Sequence, residues 1–353
     1  MQILVLNLGS TSFKFELFNL ETLESLQKGD FTISQNSVET VNVEVDRIFR
    51  DMLRRIGEIG KIGFVGHRFV HGGVNFFATT KINEDVLRQL EELNNLAPLH
   101  NPYNVAGIRS TLKYLPGADS FAVFDTAFYR SLPDRTKIYA IPYIYSEQGM
   151  HRFGFHGISH KYAFAQATKQ LKKKSEKTKV ISVHLGGGCS ITAIDNGKPV
   201  DTSMGFTPME GIMMQTRGGD IDPGIIFELI RREAEAGKER PWVEVENILN
   251  SGSGIKGVSG QENFLCLLDA CKKKDARAVL AFEIFIYRIQ KYIGAYLAVL
   301  GEVDAIVFTG KIGAGRPETR KAVMGAKFFK KIPSIIVEPQ EESAIAGEIK
   351  NII

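Results

Sequence analysis

Residues Ile3-Leu4-Val5-Leu6-Asn7-Leu8-Gly9-Ser10-Thr11-Ser12-Phe13-Lys14-Phe15-Glu16-Leu17-Phe18 decide the fold. The unbroken apolar run Ile3 to Leu6 predicts a buried strand, and the alternation from Phe13 to Phe18 predicts a returning strand with one face covered. The glycine and hydroxyl residues between them predict a turn closed around something small. Backbone N–H groups in such a turn can converge on an anion without interference from a Cβ. The pattern then recurs: Val180 to Val183 is a second apolar strand, His184-Leu185-Gly186-Gly187-Gly188-Cys189-Ser190 a second turn, and Ile191 to Ile194 a second return. Both turns contain Leu-Gly, and an Asn closes each hairpin 12 positions after the polar residue that opens its turn (Asn7 to Asn19, His184 to Asn196). That repetition implies two related halves.

Outward from the hairpins, helical periodicity covers 41–59 and 83–94. Strands at Ile62 to Phe64 and Ser120 to Phe124 run into Gly66-His67-Arg68-Phe69-Val70-His71-Gly72-Gly73 and Asp125 respectively. A segment near 130–152, rich in Pro, Tyr and Gly, marks the junction of the halves. Helical stretches fill 263–300, and the strand Ala305 to Phe308 meets Thr309-Gly310-Lys311-Ile312-Gly313. Strands alternating with helices make the class α/β, two related domains facing a cleft.

A chain of 353 residues suits two domains, and 44% hydrophobic with 24% charged residues excludes wholesale disorder. Lys and Arg number 44 against 40 Asp and Glu, a net charge of +4, so no concentrated basic face for nucleic acid is indicated. The basic run at Lys172-Lys173-Lys174 is broken by Glu176 and reads as solvated. Cys189, Cys266 and Cys271 form neither a CxxC pair nor an even set, so no disulfide framework or zinc site is implied. The apolar N-terminus reads as a strand rather than a signal peptide. No run reaches the roughly 18 apolar residues of a membrane span, and a cytoplasmic protein is expected.

Three glycine turns after apolar strands, at Gly9, Gly186–Gly188 and Gly313, point together to phosphate, although each alone would pass for a tight turn. No Walker A pattern and no dinucleotide fingerprint is present. Arg68 and Arg217 lie in glycine-rich segments, where a planar guanidinium has freedom to reach a carboxylate or phosphate; each alone also fits a solvated surface Arg. His156, in Phe153-Gly154-Phe155-His156-Gly157, is bracketed by glycines and aromatics. Asp125 ends a strand, the position where α/β sheets place functional groups. The absence of HExxH, GxSxG and Cys/His clusters leaves metallohydrolase and acyl-enzyme chemistry without anchors.

With these blocks in view, the chain resembles the acetate kinase family, in the fold shared by sugar kinases and actin. Asn7 to Lys14 is similar to the family's opening phosphate hairpin. Gly66 to Gly73, Leu96 to Pro102, Phe124 to Phe128, Phe153 to Lys161, Asp201 to Pro208 and Met213 to Pro223 match further family blocks in order. The resemblance implies two duplicated actin-like (ribonuclease H-like) domains flanking a catalytic cleft. The first would span 1–147, with about 341–353 packing back on it; the second, 148–340, would carry the nucleotide side and a homodimer interface. It implies reversible phosphoryl transfer from ATP to acetate by direct in-line attack with Mg2+ (or Mn2+), without nucleic-acid or membrane partners.

Roles follow residue by residue from the resemblance. Arg68 and Arg217 would clamp the carboxylate and the moving phosphoryl group. His156 would donate to a phosphoryl oxygen, Asp125 would order the substrate side, and His100 would contribute to the transition-state site. Asn7 and Glu341 would order the metal, with Glu342 as the alternative carboxylate. Phe69, Val70, Leu99, Phe155 and Pro208 would contact the acid's alkyl end. Ser10, Ser12, Lys14, His184, Leu185, Gly186, Gly187, Gly188, Asn263, Phe264, Leu265, Gly310, Lys311, Ile312, Gly313, Ala314 and Gly315 would line the nucleotide.

Departures from the pattern concentrate on the nucleotide side. The second turn has Gly187 where the family has Asn; Asn263 and Leu265 replace an Asp and an Arg of an Asp-Phe-Arg run; and Lys311 and Ala314 alter the third loop. These changes keep open another phosphoryl donor, such as pyrophosphate, while a length shorter than the family's hints at another short-chain acid, propionate or butyrate. A non-catalytic nucleotide-binding scaffold is a third reading, against which Arg68, Arg217 and Asp125 all stand.

Overall fold

The computed structural model describes residues 1–9, 12–34, 38–98 and 100–353. The chain divides into two compact units. One comprises Met1–Arg130, Phe155–Tyr162 and Gln340–Ile353; the other comprises Ser131–Gly154 and Ala163–Pro339.

The first unit is built on a six-stranded sheet: β1 (Gln2–Leu8), β2 (Ser12–Asn19), β3 (Ser25–Thr32), β4 (Ile62–Phe69), β5 (Thr80–Lys81) and β6 (Asp119–Phe124), in the order β3-β2-β1-β4-β6-β5. β1 to β3 form an antiparallel meander, while β4 pairs parallel with β1 and β6 parallel with β4. The expected hairpin is present, with Asn7 directly opposite Lys14. In β2, Phe13, Phe15 and Leu17 are buried and the residues between them are half-buried, the period of two that the sequence displays.

Helices cover both faces of this sheet. Helices Val38–Ile56 and Asn101–Tyr114 contribute to a core with Leu4, Leu6, Phe13 and Phe49. The C-terminal helix Glu341–Lys350 packs through Ile345 and Ile349 on Ile3, Val5 and Val123 of the opposite face. Burying each such Ile is worth about 1.5–3 kcal/mol. Gly66 permits the close approach: a Cβ there would stand 2.5 Å from Ile349 Cδ1. The sequence reading of Gly66 to Gly73 as a loop is corrected in its first half. Gly66, His67 and Arg68 belong to β4, and Gly66 serves helix packing rather than a turn.

The second unit repeats the order. β7 (Lys179–Leu185), β8 (Cys189–Asp195) and β9 (Lys198–Thr202) are the antiparallel meander, and β10 (Ala305–Thr309) and β11 (Ser334–Ile336) add in parallel, giving β9-β8-β7-β10-β11. This matches β3-β2-β1-β4-β6 strand for strand, so the duplication suggested by two Leu-Gly turns extends to whole sheets. Helix Ala276–Leu300 packs on β7 and β8, with Phe285, Ile289 and Ile293 among its buried residues. Among the described residues no helix is long and apolar enough to cross a membrane.

Candidate functional site

In the first unit three parallel strands end side by side and deliver Asn7 (β1), Arg68 (β4) and Asp125 (immediately after β6) to one edge. Carboxyl ends of adjacent parallel strands are where α/β sheets gather functional groups. Arg68 and Asp125 form a two-pronged pair: Nη2 lies 2.6 Å from Oδ2, and Nε lies 3.2 Å from both carboxylate oxygens. The remaining prong, Nη1, donates to Asn7 Oδ1 at 3.1 Å and lies 3.5 Å from Glu341 Oε2. Asn7 Nδ2 in turn donates to Glu342 Oε1 at 2.8 Å and to Glu341 Oε2 at 3.2 Å. Both glutamates occupy the first turn of helix Glu341–Lys350, where the positive end of the helix dipole favours acidic side chains. Lys14, opposite Asn7 on β2, shares its face of the sheet.

Burial disfavours the charge on Arg68, but Asp125 and then Glu341 outweigh it and lift the guanidinium pKa above its ordinary value. Desolvation raises the Asp125 carboxyl, against the pull of Arg68 and of the His156 backbone N–H. With a doubly bonded guanidinium that cannot give up its proton, the pair is ionised.

The segment carrying His156 belongs to the same unit. Gly157 N donates to Asp125 O at 2.9 Å, and His156 takes a left-handed backbone with φ 58°. His100 precedes helix Asn101–Tyr114 and is half-buried. Phe69 and Phe155 are buried, Phe69 packing on Phe124 with ring centroids 5.6 Å apart and Phe155 edge-on to His71. Alternation along β4 places Phe69 on the face opposite Arg68. Val70 is also buried, and its N–H donates to Asn104 Oδ1 at 3.2 Å. Ser12 opens β2. Ser10 and Leu99 lie outside the described residues.

The second unit presents Arg217 on a segment between β9 and helix Pro223–Glu235 that has neither strand nor helix. Its Nη1 donates to Pro208 O at 2.9 Å, and among the described residues no carboxylate pairs with it. Burial lowers its pKa, with only Cys189 acting against that. Cys189 opens β8, its thiol donates to Gly186 O at 3.4 Å, and burial pushes the thiol up to about 12, so it is a packed, protonated thiol. The turn Gly186–Gly188 follows β7, and Gly310–Gly313 follows β10; the two strands are neighbours, with Thr309 beside His184. Lys311 is exposed, while Ile312, Gly313 and Ala314 are buried. Asn263 caps helix Phe264–Lys272 by accepting from Leu265 N and Cys266 N at 3.0 Å each. Phe264 is held in the core by Phe285, and Leu265 stands exposed.

Sequence reasoning missed the residues that hold these groups in place. Asn104, buried on helix Asn101–Tyr114, also donates to Leu8 O at 2.9 Å and so ties the end of β1 to the end of β4. Asn101 accepts from His71 N and donates to His71 O, both at 3.2 Å. Two asparagines three apart on an otherwise core-facing helix were the available signal. In the second unit Arg152 donates to Thr202 O, Met204 O and Glu210, and Tyr139 also donates to Glu210, bracing the segment that bears Arg217.

Comparison with known proteins follows the geometry. Residues 30–330 match the model of the acetokinase family. An acetate kinase of Halothermothrix orenii is 43% identical over 349 residues, covering 92% of this chain and 86% of its own. Among solved structures, the acetate kinase of Porphyromonas gingivalis superposes with TM-score 0.84 at 35% identity, covering 99% of both chains. A propionate kinase of Francisella tularensis gives 0.87 at 35% identity, covering all of both. The chain belongs to the acetokinase family, phosphotransferases whose acceptor is a carboxyl group, and its two α/β sheets are those of the actin-like fold.

Proposed function

We propose that this member of the acetokinase family transfers the terminal phosphoryl group of ATP to acetate, reversibly, giving acetyl phosphate and ADP. The observation that carries the reading is the strand-end constellation Asn7–Arg68–Asp125 with Glu341 and Glu342, in a chain about two-fifths identical to acetate kinases. Arg68, pinned by two bonds to Asp125, holds the acid's carboxylate. Arg217, a cation without an acidic partner among the described residues, takes up the charge of the moving phosphoryl group, and His156 donates to one of its oxygens. The carboxylate is already nucleophilic, so positioning and charge neutralisation supply the rate and no covalent enzyme intermediate is needed. The turn Gly186–Gly188, whose Gly186 N–H is spent on Gly188 O, and the one-turn helix Gly310–Gly313, where the sequence predicts a glycine turn, would offer their remaining backbone N–H groups to the nucleotide's phosphates.

Mg2+ suits the residues present. Among the described residues no group of three or more His, Cys, Asp or Glu forms a cage for a metal. Mg2+ instead typically uses one or two carboxylates and completes its shell with waters and substrate phosphates. Asn7 and Glu341 would hold it, with Glu342, whose Oε1 lies nearer to Asn7 Nδ2 (2.8 Å against 3.2 Å), as the alternative; bound there it would neutralise phosphate charge. Glu341→Ala and Glu342→Ala should separate the two. The metal-site carboxylate is the one whose loss raises the Mg2+ requirement about tenfold while leaving the acetate KM in place.

The resemblance in structure to a propionate kinase favours propionate as a second acceptor. The decisive measurement is an acyl-hydroxamate assay run as a grid of acetate, propionate and butyrate against ATP, GTP and pyrophosphate. Acetate with ATP should head the grid; turnover with pyrophosphate alone would overturn the donor. A homodimer would cover apolar side chains that the second unit leaves exposed, among them Phe227, Trp242 and Tyr287, and light scattering would give its mass.

A further inference from the structure

Among the described residues assigned to the chemistry, His156 is the one that is not glycine and yet lies in the left-handed region, with φ 58°. An L-residue with a Cβ is strained there, and such strain persists only where the surroundings over-determine it. Three bonds do so, all from the short stretch after β6. The Asp125 carboxylate accepts from the His156 N–H, Asp125 O accepts from Gly157 N at 2.9 Å, and Tyr129 Oη donates to Phe155 O at 2.8 Å. The Phe155 side chain is 1% exposed and Tyr129 is 2% exposed, so neither group has water as a substitute partner. A Cβ on Gly157 would stand 2.2 Å from Asp125 O, so the chain passes this close to Asp125 only because residue 157 is glycine.

We infer that Tyr129 is a positioning residue for His156: its hydroxyl fixes the Phe155 carbonyl and thereby holds the left-handed turn that presents the imidazole. The inference rests on the reading of His156 as a donor to the phosphoryl group. Asp125 cannot be isolated for this role, because it also binds Arg68. The Tyr129 hydroxyl bond ends on the Phe155 backbone carbonyl rather than on a catalytic side chain, and Phe is nearly isosteric with Tyr.

The test is a double-mutant cycle on the full-length enzyme, Tyr129→Phe in the wild-type and His156→Asn backgrounds, with kcat and both KM values measured. Acting through the imidazole, Y129F should lower kcat about tenfold with both KM values within about twofold, because the lost interaction matters in the transition state. In the His156→Asn background the same change should move kcat less than about twofold. An equal loss in both backgrounds would mean that Tyr129 supports the fold generally, and would overturn the inference. Wild-type turnover by His156→Asn alone would instead remove the role of His156, a distinct failure seen before the cycle is closed. Independently of how Y129F folds, His156→Gly should melt above His156→Ala, since glycine adopts φ 58° without strain. The reverse order would show that the turn is not clamped.

Discussion

Two arginines of the same family signature meet opposite surroundings. Arg68 ends a buried strand and finds Asp125, Glu341 and Asn7 waiting for it, so its charge is matched within the protein. Arg217 sits on a segment without regular structure, has a carbonyl for its one bond among the described residues, and carries its charge at a cost that shows as a lowered pKa. Both lie in units with the same strand order, so the difference comes from what each sheet edge was given. β1 and β4 carry Asn7 and Arg68 at their ends, where β7 and β10 carry His184 and Thr309. On the proposed reading the matched cation is fixed in place before the acid arrives, whereas the unmatched one would gain its counter-charge only from the phosphoryl group.

The largest expected effect breaks the matched side. Arg68→Ala leaves Asp125 buried beside two glutamates without its partner, and removing one member of a buried pair costs about 3–5 kcal/mol. Denaturant unfolding of R68A should show a loss of that order, and R68A/D125N should recover part of it. A melting temperature equal to wild type would erase the contrast drawn between the two residues.

Arg217→Ala should do the opposite. Turnover should fall about 10²–10³-fold, the cost of deleting a donor aimed at developing charge. Stability should hold or rise, because an unpaired, desolvated cation is gone. Inorganic phosphate should raise the melting temperature of the wild type and leave that of R217A unchanged. Phosphate stabilisation that survives in R217A would place the anion elsewhere.

These contrasts were only partly legible in the sequence. The hairpins at Asn7 and His184 announced themselves because strand periodicity and glycine turns are local signals, and one repeat reinforced the other. In the sequence Arg68 and Arg217 look alike, each set in a glycine-rich segment. Nothing local distinguishes a glycine that makes a turn from Gly66, whose missing Cβ makes room for a helix at the far end of the chain. The partners of Arg68 are similarly out of reach: Asp125 is 57 residues away, and Asn7 reaches Glu341 across 334. Residue types chosen for chemistry could be named, but whether a charge is matched is a property of contacts. The same holds for Asn104 and Tyr129, whose work is done on backbone carbonyls and N–H groups that no side-chain pattern records.

A smaller effect concerns how the first unit treats a third titratable group. His67, next to Arg68 on β4, is 2% exposed, its Nε2 has no hydrogen-bond partner among the described residues, and burial pushes its pKa down to about 3. The unfolded chain protonates this histidine near 6.5, so below that pH the unfolded state binds a proton that the folded state refuses. A depressed folded-state pKa gives stability that is present above about 6.5 and declines as pH falls toward 3. Between pH 6.5 and 5 the loss should be about 2 kcal/mol from this group. His67→Met should flatten that part of the curve of stability against pH; an unchanged slope would show that other groups dominate it.

The smallest expected effect sharpens the comparison at the nucleotide side of the second unit. Asn263 spends its amide oxygen on the cap of helix Phe264–Lys272, Phe264 is locked into the core by Phe285, and Leu265 stands exposed where a stacking guanidinium is the family pattern. Lys311 adds an exposed cation beside the strand pair β7–β10. A guanidinium stacked on a base is worth roughly 0.5–2 kcal/mol depending on desolvation, so its absence erodes selectivity for the base without abolishing binding. On the proposed reading the backbone donors of Gly186–Gly188 and Gly310–Gly313 would act on phosphates, which every triphosphate shares. ATP should therefore be used, with GTP within about tenfold of it in kcat/KM. Leu265→Arg should widen that gap, whereas Lys311→Ala should weaken all triphosphates about equally. A preference for ATP above roughly a hundredfold in the unmutated enzyme would mean that residues other than Asn263, Leu265 and Lys311 read the base.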